Sequence, residues 1–106
     1  MHYLMFQTLI KMMATDEQYK KWVPLCENLN ILGCYAQTEL GHGSDIAGLE
    51  TTATFDQKTD GFIIHTPSIT ATKWWPGDMG RMANHAVVFA QLIIDENKYG
   101  VCPFIV

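Results

Sequence analysis

The sequence predicts an α+β chain in which short N-terminal helices precede a mainly antiparallel, barrel-like set of strands. Three observations carry that prediction. A capping-box pattern opens a helical stretch at residue 15. From residue 31 the apolar period changes toward two. The apolar runs that follow are separated by turn chemistry, without the alternation of strand and helix that a parallel α/β sheet requires.

The elements follow in order. MHYLMFQTLIKMM lacks a basic leader and a small-residue cleavage site, so it reads as a helix rather than a signal peptide. Leu4, Met5, Leu9, Met12 and Met13 form its expected apolar stripe. In TDEQ, residues 15 to 18, Thr15 can accept from a first-turn amide while Gln18 reaches back. Asp16 and Glu17 complement the positive end of that helix. Tyr19, Trp22, Val23 and Cys26 recur at helical spacing and read as core, and Pro24 is expected to kink or end the helix. ILGCYAQ, ETTATF, FIIHTP, SITATKW, HAVVFAQLII and YGVCPFIV then predict five or six strands. DQKTDG, residues 56 to 61, and DENKYG, residues 95 to 100, read as hairpin loops, with Asp60 and Gly61 suited to positive φ. The expected division is a helical part at 1–30 and a β part at 31–106. The chain ends on an apolar run without turn or polar cap, which predicts a piece of a longer protein, prone to self-association when isolated.

Composition excludes several classes of function. With a formal net charge of −4 and only seven lysines and arginines, there is no basic footprint for nucleic acid. Cys26, Cys34 and Cys102 are odd in number and lack C-x-x-C spacing, which points to core thiols in a reducing compartment rather than a disulfide scaffold or zinc site. His2, His42, His65 and His85 form no i, i+4 pair, so no metal site is expected. The longest apolar run, residues 86 to 94, is broken by Gln91 and is roughly half the length of a bilayer span.

Two stretches carry candidate chemistry. In TELGHGSD, residues 38 to 45, Gly41 and Gly43 can take conformations closed to other residues and align the amides of Gly43, Ser44 and Asp45 toward an anion. Glycine-rich loops mostly only reverse the chain, which is the simpler reading of the pattern by itself, and the third glycine of a dinucleotide fingerprint is missing. In ATKWWPGDMGR, residues 71 to 81, a strand would deliver Trp74 and Trp75 to opposite faces, one to the core and one to a ligand, before Pro76 and Gly77 turn the chain.

Together the two stretches resemble the acyl-CoA oxidases of the acyl-CoA dehydrogenase superfamily, over nearly the whole chain. The resemblance lies at the end of the N-terminal helical domain and in the middle β domain. It rests on GCYAQTELGHGS (33–44), GLETTATFD (48–56), KWWPG (73–77) and NHAVVFAQL (84–92). Dehydrogenases of the superfamily usually read TEPGAGSD and W-I-T/S-N at the corresponding places, so Leu40, His42 and Pro76 favour the oxidase branch; Asp78 departs from the second glycine usual there.

The resemblance implies FAD as cofactor, a fatty acyl-CoA substrate taken to the trans-2-enoyl-CoA, and O2 reduced to H2O2. It also implies a peroxisomal homodimer, although no targeting signal is visible in this chain. The cofactor-binding residues it points to are Tyr35, Gln37, Thr38, Gly43, Ser44, Trp74, Trp75 and Gly77. Thr38 would bond the pyrimidine end of the flavin, Ser44 would also meet phosphate or the CoA substrate, and Gly77 would border the reactive N5 edge. The family's catalytic glutamate falls beyond Val106, so this chain supplies no catalytic base, and Glu39 and Glu50 are not promoted into its place. Alone, the chain is expected to be inactive. The alternatives are a truncated product confined to binding or assembly and a fragment of the dehydrogenase type.

Overall fold

The structure is a computed structural model that describes residues 1 to 106. It divides into two compact units, one of residues 1–35, 76–87 and 105–106, the other of residues 36–75 and 88–104.

The first unit is built on helices. A π-helical turn, His2–Gln7, runs directly into α1 (Thr8–Met13), and α2 (Asp16–Glu27) follows after a two-residue break. The capping box forms as read: the Gln18 amide donates to Thr15 Oγ1 at 3.2 Å and the Thr15 amide to Gln18 Oε1 at 3.0 Å. Pro24 does not end the helix. It lies in the last turn, and its carbonyl accepts from the Asn28 amide at 3.1 Å.

The buried face of the first helices differs from the expected stripe. Phe6 and Ile10, one turn apart, are buried, whereas Leu4, Met12 and Met13 are exposed. The π-helical turn spaces its residues more widely than 3.6 per turn, which rotates the apolar face away from an α-helical projection. On α2, Val23 and Cys26 are buried as read, Trp22 is half-buried, and Tyr19 is exposed.

Phe6 is wholly buried because β1 (Gly33–Ala36) begins with a glycine: a Cβ at Gly33 would overlap the Phe6 ring. His2 stacks on Phe6, accepts the Gly33 amide at Nδ1 (3.0 Å) and lies 3.1 Å from the Cys26 carbonyl through Nε2. Those partners assign the ring proton to Nε2, and the imidazole thereby joins α2 to β1.

The sheet has five strands. β2 (Thr52–Asp56) and β3 (Gly61–His65) form an antiparallel hairpin, and β4 (His85–Ile94) and β5 (Asn97–Ile105) pair with each other. The order is β1-β4-β2-β3, with β5 against β4. The hairpins are antiparallel as expected, but β2 and β4 run parallel, with Thr52 opposite Gln91, so the sheet is mixed and does not close into a barrel. The long connection through residues 66–84 returns the chain to run beside β2 in the same direction, which no short-range turn signal reports.

Both hairpin turns fall where turn chemistry put them. Asp60 has φ 51°, and the β4–β5 turn is tighter than DENKYG suggested, since only Asp95 and Glu96, at φ 48° and 65°, lie between the strands. SITATKW does not form a strand. Residues 66–84 make no named element, and Lys73 contributes only an isolated bridge to Glu39.

The second unit buries mostly small side chains: Ala36, Leu49, Ala53, Ala71, Val88 and Ala90. Of the two cysteines that are fully buried, Cys26 and Cys34, both belong to the first unit, while Cys102 is half-buried.

The overlap at Gly33 leads to a direct test. Gly33→Ala should destabilise the protein by about 1–3 kcal/mol, the range for overpacking a filled core, and Phe6→Leu should recover part of that loss by vacating the space. Chemical denaturation of the two single variants and the double measures both effects.

Candidate functional site

The expected site residues are divided between the units: Tyr35 and Gly77 in the first, Gln37, Thr38, Gly43, Ser44, Trp74 and Trp75 in the second. In the first unit the Tyr35 amide donates to the Pro76 carbonyl at 3.2 Å, which sets the tyrosine beside the turn holding Gly77. Gly77 has φ +66°, the left-handed region that favours glycine, while the nearest obstacle to a Cβ is the exposed Met1 side chain, Cγ at 2.6 Å. Asp78 follows at φ 54°, and its carbonyl accepts the amides of Arg81, Met82 and Ala83. The turn therefore accommodates Asp78 by placing it in the left-handed region that aspartate tolerates better than most residues.

In the second unit residues 38–41 lie against residues 70–74. The Trp74 amide donates to Thr38 O at 2.8 Å, Leu40 to Thr72 O at 3.0 Å and Gly41 to Thr70 O at 2.9 Å. Side chains along this short pairing alternate. Glu39 is fully buried and Lys73 nearly so, while Leu40 and Trp74 are exposed and Thr38 is half-buried. Trp75, at φ 64°, is 84% exposed, so neither indole enters the core. The strand predicted to deliver one of them inward is replaced by irregular chain, which leaves both aromatic faces open.

Gly41 and Gly43 do not supply positive φ, which in this chain's glycines occurs at Gly77, Gly80 and Gly100. The small size of Gly41 matters instead, because a Cβ would come within 2.9 Å of Thr70 Cβ. Open space surrounds the place a Gly43 Cβ would take, and Gly43, Ser44 and Asp45 are exposed with amides that donate to no group in the chain.

Glu39 and Lys73 form the most densely bonded part of the unit. Lys73 Nζ donates to Glu39 Oε1 at 3.0 Å, to Gln37 O at 3.1 Å and to Phe89 O at 2.6 Å, using all three ammonium donors. Glu39 also accepts the Glu50 amide at 2.8 Å and the Thr51 amide at 3.0 Å. Burial pushes the Glu39 carboxyl up, but the amides of Glu50 and Thr51, the Thr51 hydroxyl and the Lys73 ammonium outweigh it and hold it below the ordinary range. Burial draws Lys73 down, against the opposing pull of Glu39.

A second, more exposed cluster adjoins this pair. Glu50 accepts from Thr70 at 2.6 Å and from Ser68 at 3.3 Å and lies 2.9 Å from His42 Nε2. The Thr70 bond, then that of His42, draws the Glu50 carboxyl down. Glu39, His42 and Glu50 thus bring three potential metal-ligand atoms within 4.8 Å of one another, a cluster invisible to a test of helical histidine spacing because all three sit in irregular chain. Each is engaged by protein partners. The sequence places Lys73 in SITATKW and KWWPG, and no local pattern indicates that it pairs with a residue 34 positions earlier.

Over its whole length the chain is similar to a segment of the acyl-CoA oxidases. Residues 1–32 match the family described as acyl-coenzyme A oxidase N-terminal. All 106 residues align at 58% identity with the peroxisomal acyl-coenzyme A oxidase 1 of Arabidopsis thaliana, of which they span 16%. The solved Arabidopsis acyl-CoA oxidase 1 superposes with a TM-score of 0.96 over 99% of this chain and 16% of that one. An acyl-CoA oxidase-2 of Caenorhabditis elegans, solved with FAD, ascaroside-CoA and ATP bound, gives a TM-score of 0.95 at 48% identity, again over 99% of this chain and 16% of that one.

The lowered carboxyls give stability a defined acid limb. Glu39 and Glu50 titrate lower in the folded state than their ordinary value of 4.5, so their contribution is present above that value and is lost as pH falls through and below it. Midpoints of unfolding measured from about pH 6 down to about pH 3 should therefore decline. The decline should be shallower in Glu39→Gln, which starts less stable but has lost one titrating group.

Proposed function

We propose that this chain is the cofactor-bordering segment of an FAD-dependent acyl-CoA oxidase that converts a fatty acyl-CoA to the trans-2-enoyl-CoA and reduces O2 to H2O2 in the peroxisome. Residues 1–30 would close the helical N-terminal domain and 31–106 open the middle β domain of a homodimeric enzyme. The observation that carries the reading is the match, over 99% of this chain, to a segment of an oxidase solved with FAD, ascaroside-CoA and ATP, in a chain whose Gly43–Ser44 amides are unpaired and exposed.

The residues present suit such a ligand. Thr38 offers a hydroxyl engaged by no group of the chain, Gly43 and Ser44 offer amides beside open space, and Trp74 and Trp75 offer exposed aromatic faces. When bound, FAD supplies the hydride acceptor for the substrate β-carbon and the route by which electrons reach O2. Thr38 would donate to the pyrimidine end of the ring, where a hydroxyl donor favours the negative charge of the reduced flavin. The amides of Gly43 and Ser44 hold an anionic oxygen of phosphate or CoA. Trp74 and Trp75 would offer aromatic faces to the ring, and Tyr35, Gln37 and Gly77 are the remaining residues expected to border it.

The proton α to the thioester needs a base with a free lone pair directed at it. Glu39 is enclosed by Lys73 and two amides, and Glu50 is occupied by two hydroxyls and a histidine, so both serve as structural acceptors. The base comes from outside this chain.

In the full-length enzyme, palmitoyl-CoA should elicit sustained H2O2 release. Thr38→Val should lower kcat on the order of 100-fold, the lower end of the range for loss of one charge-stabilising donor, while Thr66→Val, in an exposed connection, leaves it unchanged. The isolated segment with added FAD should give no turnover. Wild-type activity in Thr38→Val would remove Thr38 from the flavin edge, and turnover by the isolated segment would contradict the assignment of the base.

A further inference from the structure

Thr38 and Trp74 are immediate neighbours in sequence of Glu39 and Lys73, and the two pairs lie across the same short antiparallel pairing. The Glu39–Lys73 bridge has the Trp74 amide bonded to Thr38 O on one side and the Leu40 amide bonded to Thr72 O on the other. Residues 38–41 and 70–74 belong to no named helix or strand, and only three backbone hydrogen bonds and this isolated bridge hold their register. In so short a pairing a slip of one residue would carry every side chain to the opposite face. A buried ion pair resists such a slip strongly, because the slip would unpair both charges away from water.

From this geometry we propose that the buried Glu39–Lys73 pair is the positioning element for flavin binding: it turns Thr38 and Trp74 outward and fixes their height against the sheet. The inference rests on the flavin-bordering role proposed above. Glu39 fixes its own strand to the amides of residues 50 and 51, and Lys73 fixes the facing strand to Gln37 O and to Phe89 O on β4. With the ion pair anchored at both ends, the alternation of the chain leaves Thr38 and Trp74 only the opposite face. Neither Glu39 nor Lys73 touches the cofactor; both act through their neighbours.

The test is a mutant cycle in the full-length enzyme. Glu39→Gln/Lys73→Met replaces the pair by neutral side chains of similar shape, and Thr38→Val removes the hydroxyl that the pair is inferred to aim. FAD affinity is measured by fluorescence quenching of the apoenzyme and the reduction potential of the bound flavin by dye equilibration, alongside apoenzyme melting curves. The pair variant should bind FAD at least about tenfold more weakly, a difference of 1.4 kcal/mol, with a more negative potential. Adding Thr38→Val to it should shift the potential little further, although Thr38→Val alone shifts it clearly. Should the neutral pair fail to fold, Lys73→Arg keeps the charge but not the three-pronged geometry, and is read by the same cycle.

Additive shifts, or a lowered melting point with FAD affinity and potential intact, would make the pair a structural element only and overturn the proposal. A wild-type enzyme that binds no FAD would instead overturn the flavin assignment, and the positioning role would fall with it.

Discussion

A carboxylate is the largest fully buried side chain of the second unit. Most other buried positions there are alanine, valine or threonine, so apolar volume alone gives this part of the chain little to organise around. Glu39 and Lys73 compensate by binding four stretches of chain at residues 37–39, 50–51, 73 and 89. Desolvating two charges is costly, and the pair is tolerated because all three ammonium donors and both carboxylate oxygens find partners. Removal of either charge alone would leave the other buried without its partner, at a cost of about 3–5 kcal/mol.

The same interaction explains how irregular chain can present a defined surface. Residues 66–84 form no helix or strand, yet the backbone at Trp74 is bonded while its indole remains exposed. Exposed indoles on loose chain would collapse onto any apolar neighbour. Here the backbone beside them is bonded at Thr38, Thr72 and Thr70, and the side chain between is an anchored lysine. The hydrogen bonds thus define a surface without regular secondary structure.

Local chemistry was legible in the sequence and long-range pairing was not. The capping box at Thr15 and Gln18 and the turns at Asp60 and Asp95 depend on residues a few positions apart, and all formed where their residue types required. The apolar face of the first helices was misread because a π-helical turn changes the period that the reading assumed. The parallel pairing of β2 with β4 and the pairing of Lys73 with Glu39 join residues more than 30 positions apart, and no propensity encodes such contacts. At the candidate site the glycine-rich loop was recognised for its exposed amides but for the wrong backbone reason, since Gly41 answers to the crowding of Thr70 rather than to positive φ.

The central claim is that the loop at residues 43–44 and the edge at Thr38 and Trp74 face the cofactor. Amide hydrogen exchange of the full-length enzyme, with and without FAD, tests it most directly. The amides of Gly43 and Ser44, which donate to nothing in the chain, should become protected when FAD binds, while those of Asp95 and Glu96 in the β4–β5 turn should exchange at unchanged rates. Equal exchange at Gly43 and Ser44 in the two states, with FAD occupancy verified by absorbance, would contradict the account.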